Sequence, residues 1–137
     1  MKLVFSLVIL FIFLSGSAQE KSKLIIDFEL DKYNNGKLYV AVYSSKESFL
    51  KEAITGTIVK INNGKATAVF EHLKFGTYAV SSFYDKNDNG KLDTNFLGIP
   101  KEPTAMSNNA KGSFGPPKFK DAKFIFSSKN NSIKIKY

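Results

Sequence analysis

Strict alternation of apolar and polar residues, broken repeatedly at Asn-Gly, constrains this chain more than any other feature. In residues 24–30 (LIIDFEL), Leu24, Ile26, Phe28 and Leu30 share one face while Asp27 and Glu29 lie on the other. That period of two marks a half-buried strand. Residues 37–44 repeat the pattern, with Leu38, Val40 and Val42 opposite Tyr39, Ala41 and Tyr43. Between the two runs stands Asn34-Asn35-Gly36, whose residues tolerate positive φ, so the pair reads as a hairpin. Asn62-Asn63-Gly64 marks a second hairpin, between strands over 56–61 and 65–71. A fifth strand runs from Gly76 to Tyr84, and residues 122–127 and 132–137 alternate on either side of Asn130-Asn131. Only residues 46–53 (KESFLKEA) suit a helix, and they predict one or two turns capped at Ser44 or Ser45 and serving as a crossover. About seven strands with so little helix predict an all-β, antiparallel two-sheet sandwich, immunoglobulin-like or transthyretin-like, with one short helical turn and one long ordered loop.

The N-terminus carries an address. Lys2, an apolar run over residues 3–14 and the small residues Ser15, Gly16, Ser17 and Ala18 have the layout of a cleaved secretory signal. The apolar run is too short to span a bilayer, which needs about 20 residues. Residues 1–18 therefore read as a signal and 19–137 as one domain, exported to the periplasm or beyond. With no cysteine in the chain, no disulfide is available, and stability must come from the apolar core or from a core plus an ion.

The net charge is +8, and every basic residue is lysine. The lysines are scattered along strands and turns rather than clustered, the pattern of a solvated surface. The absence of arginine removes the best reader of guanine and phosphate, so nucleic acid is not an expected partner. An envelope or extracellular glycan or protein is; the oligomeric state is left open.

The stretch 85–117 departs from the alternation. Asp85-Lys86-Asn87-Asp88-Asn89-Gly90-Lys91-Leu92-Asp93 follows the start of a calcium loop, with side-chain oxygens at positions 1, 3, 5 and 9 and glycine at 6. Alternate side chains of a curled backbone converge on one point, and residue 7 offers its carbonyl. Asp85, Asn87, Asn89, Lys91 through its carbonyl, and Asp93 are thus candidate Ca2+ ligands. Position 12, where a bidentate glutamate is expected, holds Phe96, so the last oxygen must come from elsewhere, Glu102 or Asp121 being nearest. With few carboxylates, affinity is expected in the weak extracellular range, on the order of 10⁻⁴ to 10⁻³ M. A plain polar hairpin turn at Asn89-Gly90 explains the same residues without an ion.

Residues 94–120 show neither period and hold all four prolines. Loops this long in a compact domain are mostly functional or disordered. The apolar residues Phe96, Leu97, Ile99, Met106, Phe114 and Phe119 argue for an ordered excursion anchored over one end of the sandwich. Phe96, Asn108, Asn109 and Phe114 are the candidate ligand-binding residues of that loop.

Two resemblances follow. Leu73-x-x-Gly76-x-Tyr78-x-Val80 resembles the strand entry of transthyretin-like and immunoglobulin-like modules, which implies a structural role for Gly76 and Tyr78. The longer series Gly76-Thr77-Tyr78-Ala79-Val80, Asp85-x-Asn87-x-Asn89-Gly90-Lys91-Leu92-Asp93-x-Asn95-x-Leu97-Gly98-Ile99-Pro100-x-Glu102 and Ser107-Asn108-Asn109-Ala110-x-Gly112-x-x-Gly115-Pro116-Pro117 closely resembles the bacterial domain-of-unknown-function family 2141. That resemblance implies a small exported protein and brings no mechanism. The chain departs from the pattern at Thr104-Ala105-Met106, where such proteins often carry a glycine and an aromatic.

Three classes of function are open. An exported, non-catalytic binding module, its loop ordered by Ca2+, ranks first. A structural protein of the envelope, pairing through edge strands, ranks second; Lys134 and Lys136 weigh against exposed-edge pairing. A hydrolase using loop carboxylates ranks last, since the sole histidine, His72, sits at a strand end and one histidine without cysteine makes a poor zinc site.

Overall fold

The computed structural model describes residues 22–137, so the leader over 1–18 lies outside the described residues. The chain is all-β. Eight strands follow in order: β1 (Lys23–Glu29), β2 (Asn35–Tyr43), β3 (Thr55–Asn62), β4 (Lys65–Glu71), β5 (Gly76–Tyr84), β6 (Thr104–Met106), β7 (Phe124–Phe126) and β8 (Ser132–Lys136). Among the described residues the helical content is a single 3-10 turn, Ser107–Asn109, and one turn of α-helix, α1 (Phe119–Ala122).

The expected antiparallel two-sheet sandwich is not what these strands build. They form one continuous mixed sheet in the order β6-β5-β2-β3-β4-β1-β8, with β7 added to the start of β5, and its two ends curl toward each other into a nearly closed barrel. The β1–β8 pair is parallel, in register Ile26 to Ile133 and Phe28 to Ile135. Nor do β1 and β2 form a hairpin: β1 gives its two edges to β4 and β8, and β2 lies between β3 and β5. The Asn34–Gly36 segment turns the chain, but the bond partner of Leu30 is the carbonyl of Gly64, in the next turn along. The Asn62-Asn63-Gly64 turn holds as expected, with Asn63 and Gly64 both left-handed at φ 49° and 72°. Beyond Asn62–Lys65, however, β3 stays with β2 and β4 with β1, and this splay at the hairpin root bends the sheet.

Alternation sorts side chains into two cores. Inside the curl pack Leu24, Ile26, Phe28, Leu38, Val40, Val42, Val80, Phe126 and Ile135, all essentially buried. Apolar area removed from water on this scale is the main stabilising term, about 25 cal/mol per Å². Tyr78, on the same side, donates its hydroxyl to the Lys74 carbonyl at 2.6 Å, consistent with the structural role its motif implies. The opposite faces of β2, β5 and β6 carry Tyr43, Ala79 and Met106, which form a second, smaller core with Phe49, Ala122 and Phe119. Residues 46–51 cover it as a hydrogen-bonded turn rather than the one or two helical turns expected, because Leu50 is left-handed at φ 60°. The Ser45 hydroxyl accepts the Ser48 amide at 3.2 Å, the cap expected there, and Phe49 plugs the core rather than merely crossing over it.

The seam between the sheet ends is closed by side chains. The Asn109 Oδ1 accepts the backbone N–H of Lys136 at 2.9 Å, and the Tyr137 hydroxyl shares a 2.7 Å bond with Ser82. Among the described residues no helix is long and apolar enough to cross a membrane.

Candidate functional site

The stretch 85–117, followed on to the end of α1 at Ala122, divides into two dissimilar parts. The first, residues 85–102, leaves β5 and returns to β6, and it is stapled by two carboxylates buried at 4% and 6% exposure. Asp85 accepts the amides of Asn89 at 3.2 Å and Gly90 at 2.8 Å. Gly90 is left-handed at φ 75°, and a Cβ there would press on the Tyr39 hydroxyl, so the tight turn favours glycine. Glu102 reaches back to accept Lys86 N at 2.9 Å and Asp93 N at 3.1 Å, closing the loop from its far end. The sequence leaves the last oxygen open between Glu102 and Asp121; Glu102 meets the loop, whereas Asp121 lies in α1, where its carbonyl accepts the Asn108 amide.

Asp93 gathers the remaining candidates. Asn87 donates Nδ2 to Asp93 Oδ2 at 2.6 Å, and Asn89 donates Nδ2 to both Asp93 oxygens at 3.0 Å. The Lys91 amide binds Asn89 Oδ1 at 2.9 Å. Asp88 points away, pairing at 2.7 Å with Lys37, whose ammonium is held above its usual range by that carboxylate. Lys86, Asn87, Asp93, Thr94, Lys101 and Glu102 line a shallow depression on this loop.

The donor set suits a hard cation: three carboxylates, two amides and one carbonyl, all oxygen. Every carboxylate oxygen of Asp85, Asp93 and Glu102 nonetheless already accepts a hydrogen bond. Among the described residues no three His, Cys, Asp or Glu side chains are gathered tightly enough to hold an ion as they stand. The fit therefore depends on Asn87 and Asn89, both of which turn Nδ2 toward Asp93; each amide carries donor and acceptor on one carbon, and a half-turn about χ2 would put Oδ1 in place of Nδ2.

Beyond Asp93 the chain makes a small hairpin, with Thr94 bridged to Pro100. Asn95 organises its tip: Oδ1 accepts the amides of Leu97 at 2.9 Å and Ile99 at 3.0 Å. Phe96, Leu97 and Ile99 are not anchors, as their apolar character suggested; they project into solvent at 95%, 68% and 55% exposure.

The second part, residues 104–122, is not a loop of one kind. Residues 104–106 form β6 against β5, too short a strand to show a period, and Met106 is buried. Ser107, which sequence reasoning passed over, is wholly buried: its hydroxyl receives the Val80 amide at 2.9 Å and donates to the Ala122 carbonyl at 2.5 Å. Its only advance signal is its place in the Ser-Asn-Asn phrase. Asn108, left-handed at φ 58°, donates to the carbonyls of Lys123 at 2.7 Å and Asp121 at 3.2 Å. The side chains of Asn108 and Asn109 are thus bonded to the fold's own backbone. Phe119 anchors the second core, edge-on to Phe49, while Phe114 stands fully exposed. His72 is exposed at a left-handed turn after β4, its amide bonded to the Ser22 carbonyl.

No curated protein and no solved structure matches this chain. A family model described as an uncharacterised protein conserved in bacteria, DUF2141, matches residues 28–134, from β1 through β8 and across the whole loop region. The chain belongs to the DUF2141 family.

Proposed function

We propose that this protein is an exported, non-catalytic binding domain whose 85–102 loop takes Ca2+ and holds the 94–100 hairpin out toward a partner. Export, to the periplasm or outside the cell, is supported by the leader pattern of residues 1–18. The observation that carries the loop's role is the double staple. Asp85 and Glu102, 17 positions apart, are both buried and both spend their oxygens on loop amides, so the fold invests in fixing a segment whose tip is largely exposed. Ca2+ would be held by Asp85, Asp93 and Glu102 with Asn87, Asn89 and the Lys91 carbonyl. It would stiffen the loop before a partner arrives and so lower the ordering cost of binding. An enzyme is disfavoured because His72, at the turn after β4, has no place in this loop and the loop acids are engaged with backbone amides.

Titration calorimetry of Ca2+ into the chelator-treated protein tests the ion. Saturable binding in the range of about 10⁻⁴ to 10⁻³ M, lost in Asp93→Ala, supports it. Absence of heat at millimolar Ca2+ sinks it. The second reading, a hydrogen-bonded turn in a structural protein of the envelope, draws on the same carboxylate oxygens, all of which have amide partners without any ion.

A further inference from the structure

We propose that the 94–100 hairpin is a docking tip for an anionic bilayer, inserting Phe96, Leu97 and Ile99 among the lipid headgroups. Three large apolar side chains within four residues, exposed at 95%, 68% and 55%, form a convex knob. A knob needs a matching pocket on a protein, whereas the interface of a bilayer deforms around it.

Entry into a less polar medium is barred to backbone groups that lack partners. Four of the five amides over residues 95–99 have them: Asn95 N binds the Ile99 carbonyl at 2.9 Å, Gly98 N binds the Asn95 carbonyl at 2.9 Å, and Leu97 N and Ile99 N both bind Asn95 Oδ1. The turn carries its own hydrogen bonds inward with it.

Charge favours the same surface. Lys86, Lys91 and Lys101 flank the hairpin in sequence and are exposed, and none belongs to the four ion pairs found among the described residues. Lysine stems are long enough to lie along an apolar surface while the ammonium reaches anionic headgroups. The four acids of the segment are engaged elsewhere: Asp88 with Lys37, Asp85 and Glu102 inside the loop, and Asp93, half-buried, with the amides of Asn87 and Asn89. Residues 85–102 carry three lysines against four carboxylates, a net −1, which one bound Ca2+ would convert to +1. The calcium dependence of docking rests on the ion reading above; the apolar tip does not.

The test is co-sedimentation of the purified protein with vesicles of phosphatidylcholine mixed with phosphatidylglycerol, against phosphatidylcholine alone, in millimolar Ca2+ and in chelator. The variant is Phe96→Ser combined with Leu97→Ser, two exposed changes that leave the fold intact. The expected result is partitioning onto anionic vesicles, stronger in Ca2+, that falls about tenfold or more in the double variant while its melting temperature is unchanged. Equal binding by variant and wild type would reduce the effect to lysine adsorption and overturn the proposal. So would absence of wild-type binding in both conditions, and if Ca2+ still raised the melting temperature the ion reading would survive alone. Tip-dependent binding that is the same in Ca2+ and chelator would uphold docking and remove its calcium switch. A dimer in sedimentation velocity that the double variant dissolves would assign the tip to a second copy instead.

Discussion

Two neighbouring excursions from the same sheet, residues 85–102 and 104–122, use their side chains in opposite ways. The first buries its acids and exposes its hydrophobics: Asp85 and Glu102 lie inside, Phe96 and Leu97 outside. The second, Phe114 apart, buries its large hydrophobics and spends its polar groups on the fold, with Met106 and Ala122 in the second core and Ser107, Asn108 and Asn109 bonded to backbone. An apolar side chain left in water costs solvation that a packed one recovers. That contrast supports the proposal that the first excursion meets a partner, while the second closes the barrel. Asparagines in a loop are no guide to ligands until their hydrogen-bond partners are known.

The sharpest way to break this contrast is Glu102→Ala. It strips two amides of a buried carboxyl acceptor, and we expect a loss of about 3 kcal/mol in urea unfolding, together with loss of any calcium response. Ser107→Ala removes the hub of the other excursion and should cost about 2 kcal/mol while leaving the calcium response intact. If both variants altered that response equally, the two regions would not be separable.

The seam offers a pH test. Burial raises the Tyr137 phenol well above its usual range, so the folded state holds the neutral form. Its contribution is complete below the unfolded phenol value of about 10 and is lost as pH climbs through the raised value. Urea midpoints measured across that alkaline range should fall less steeply in Tyr137→Phe than in wild type. Asn109→Ala, which opens the bond to Lys136 N at an exposed position, should cost about 0.5 to 1 kcal/mol. Smallest is Phe96→Ser with Leu97→Ser, expected within about 0.5 kcal/mol of wild type, because those side chains leave no cavity. A substantial loss there would mean the tip packs against the body after all.

Much of the framework is legible in the sequence. Alternation locates β1, β2, β4 and β5, Asn63-Gly64 locates a true hairpin turn, and Ser45 caps the turn over residues 46–51, which the sequence suggests as a helix. Strand partners are another matter. Nothing local in residues 24–30 says that Phe28 will lie beside Ile135 in a parallel ladder, since pairing is decided by which distant edges remain open. For the same reason the Asn34-Asn35-Gly36 signal suggests a β1–β2 hairpin that the sheet does not make. In the loop region, spacing identifies Asp85, Asn87, Asn89 and Asp93 as a group and leaves Glu102 one of two guesses; the structure joins them. Whether a phenylalanine anchors or projects is invisible to spacing: Phe119 is held by Phe49, while Phe96, equally apolar, faces water.

The most direct test of the 85–102 loop as a ligand-ordered element is thermal unfolding of the purified wild-type protein in Ca2+, in Mg2+ and in chelator. At ten times a millimolar-range dissociation constant, a ligand bound only by the folded state adds about 1.4 kcal/mol. For a domain of this size that predicts a rise of about 5 °C, seen with Ca2+ and not with Mg2+. Three superimposed curves would contradict the account and leave the loop a turn held by Asp85 and Glu102 alone.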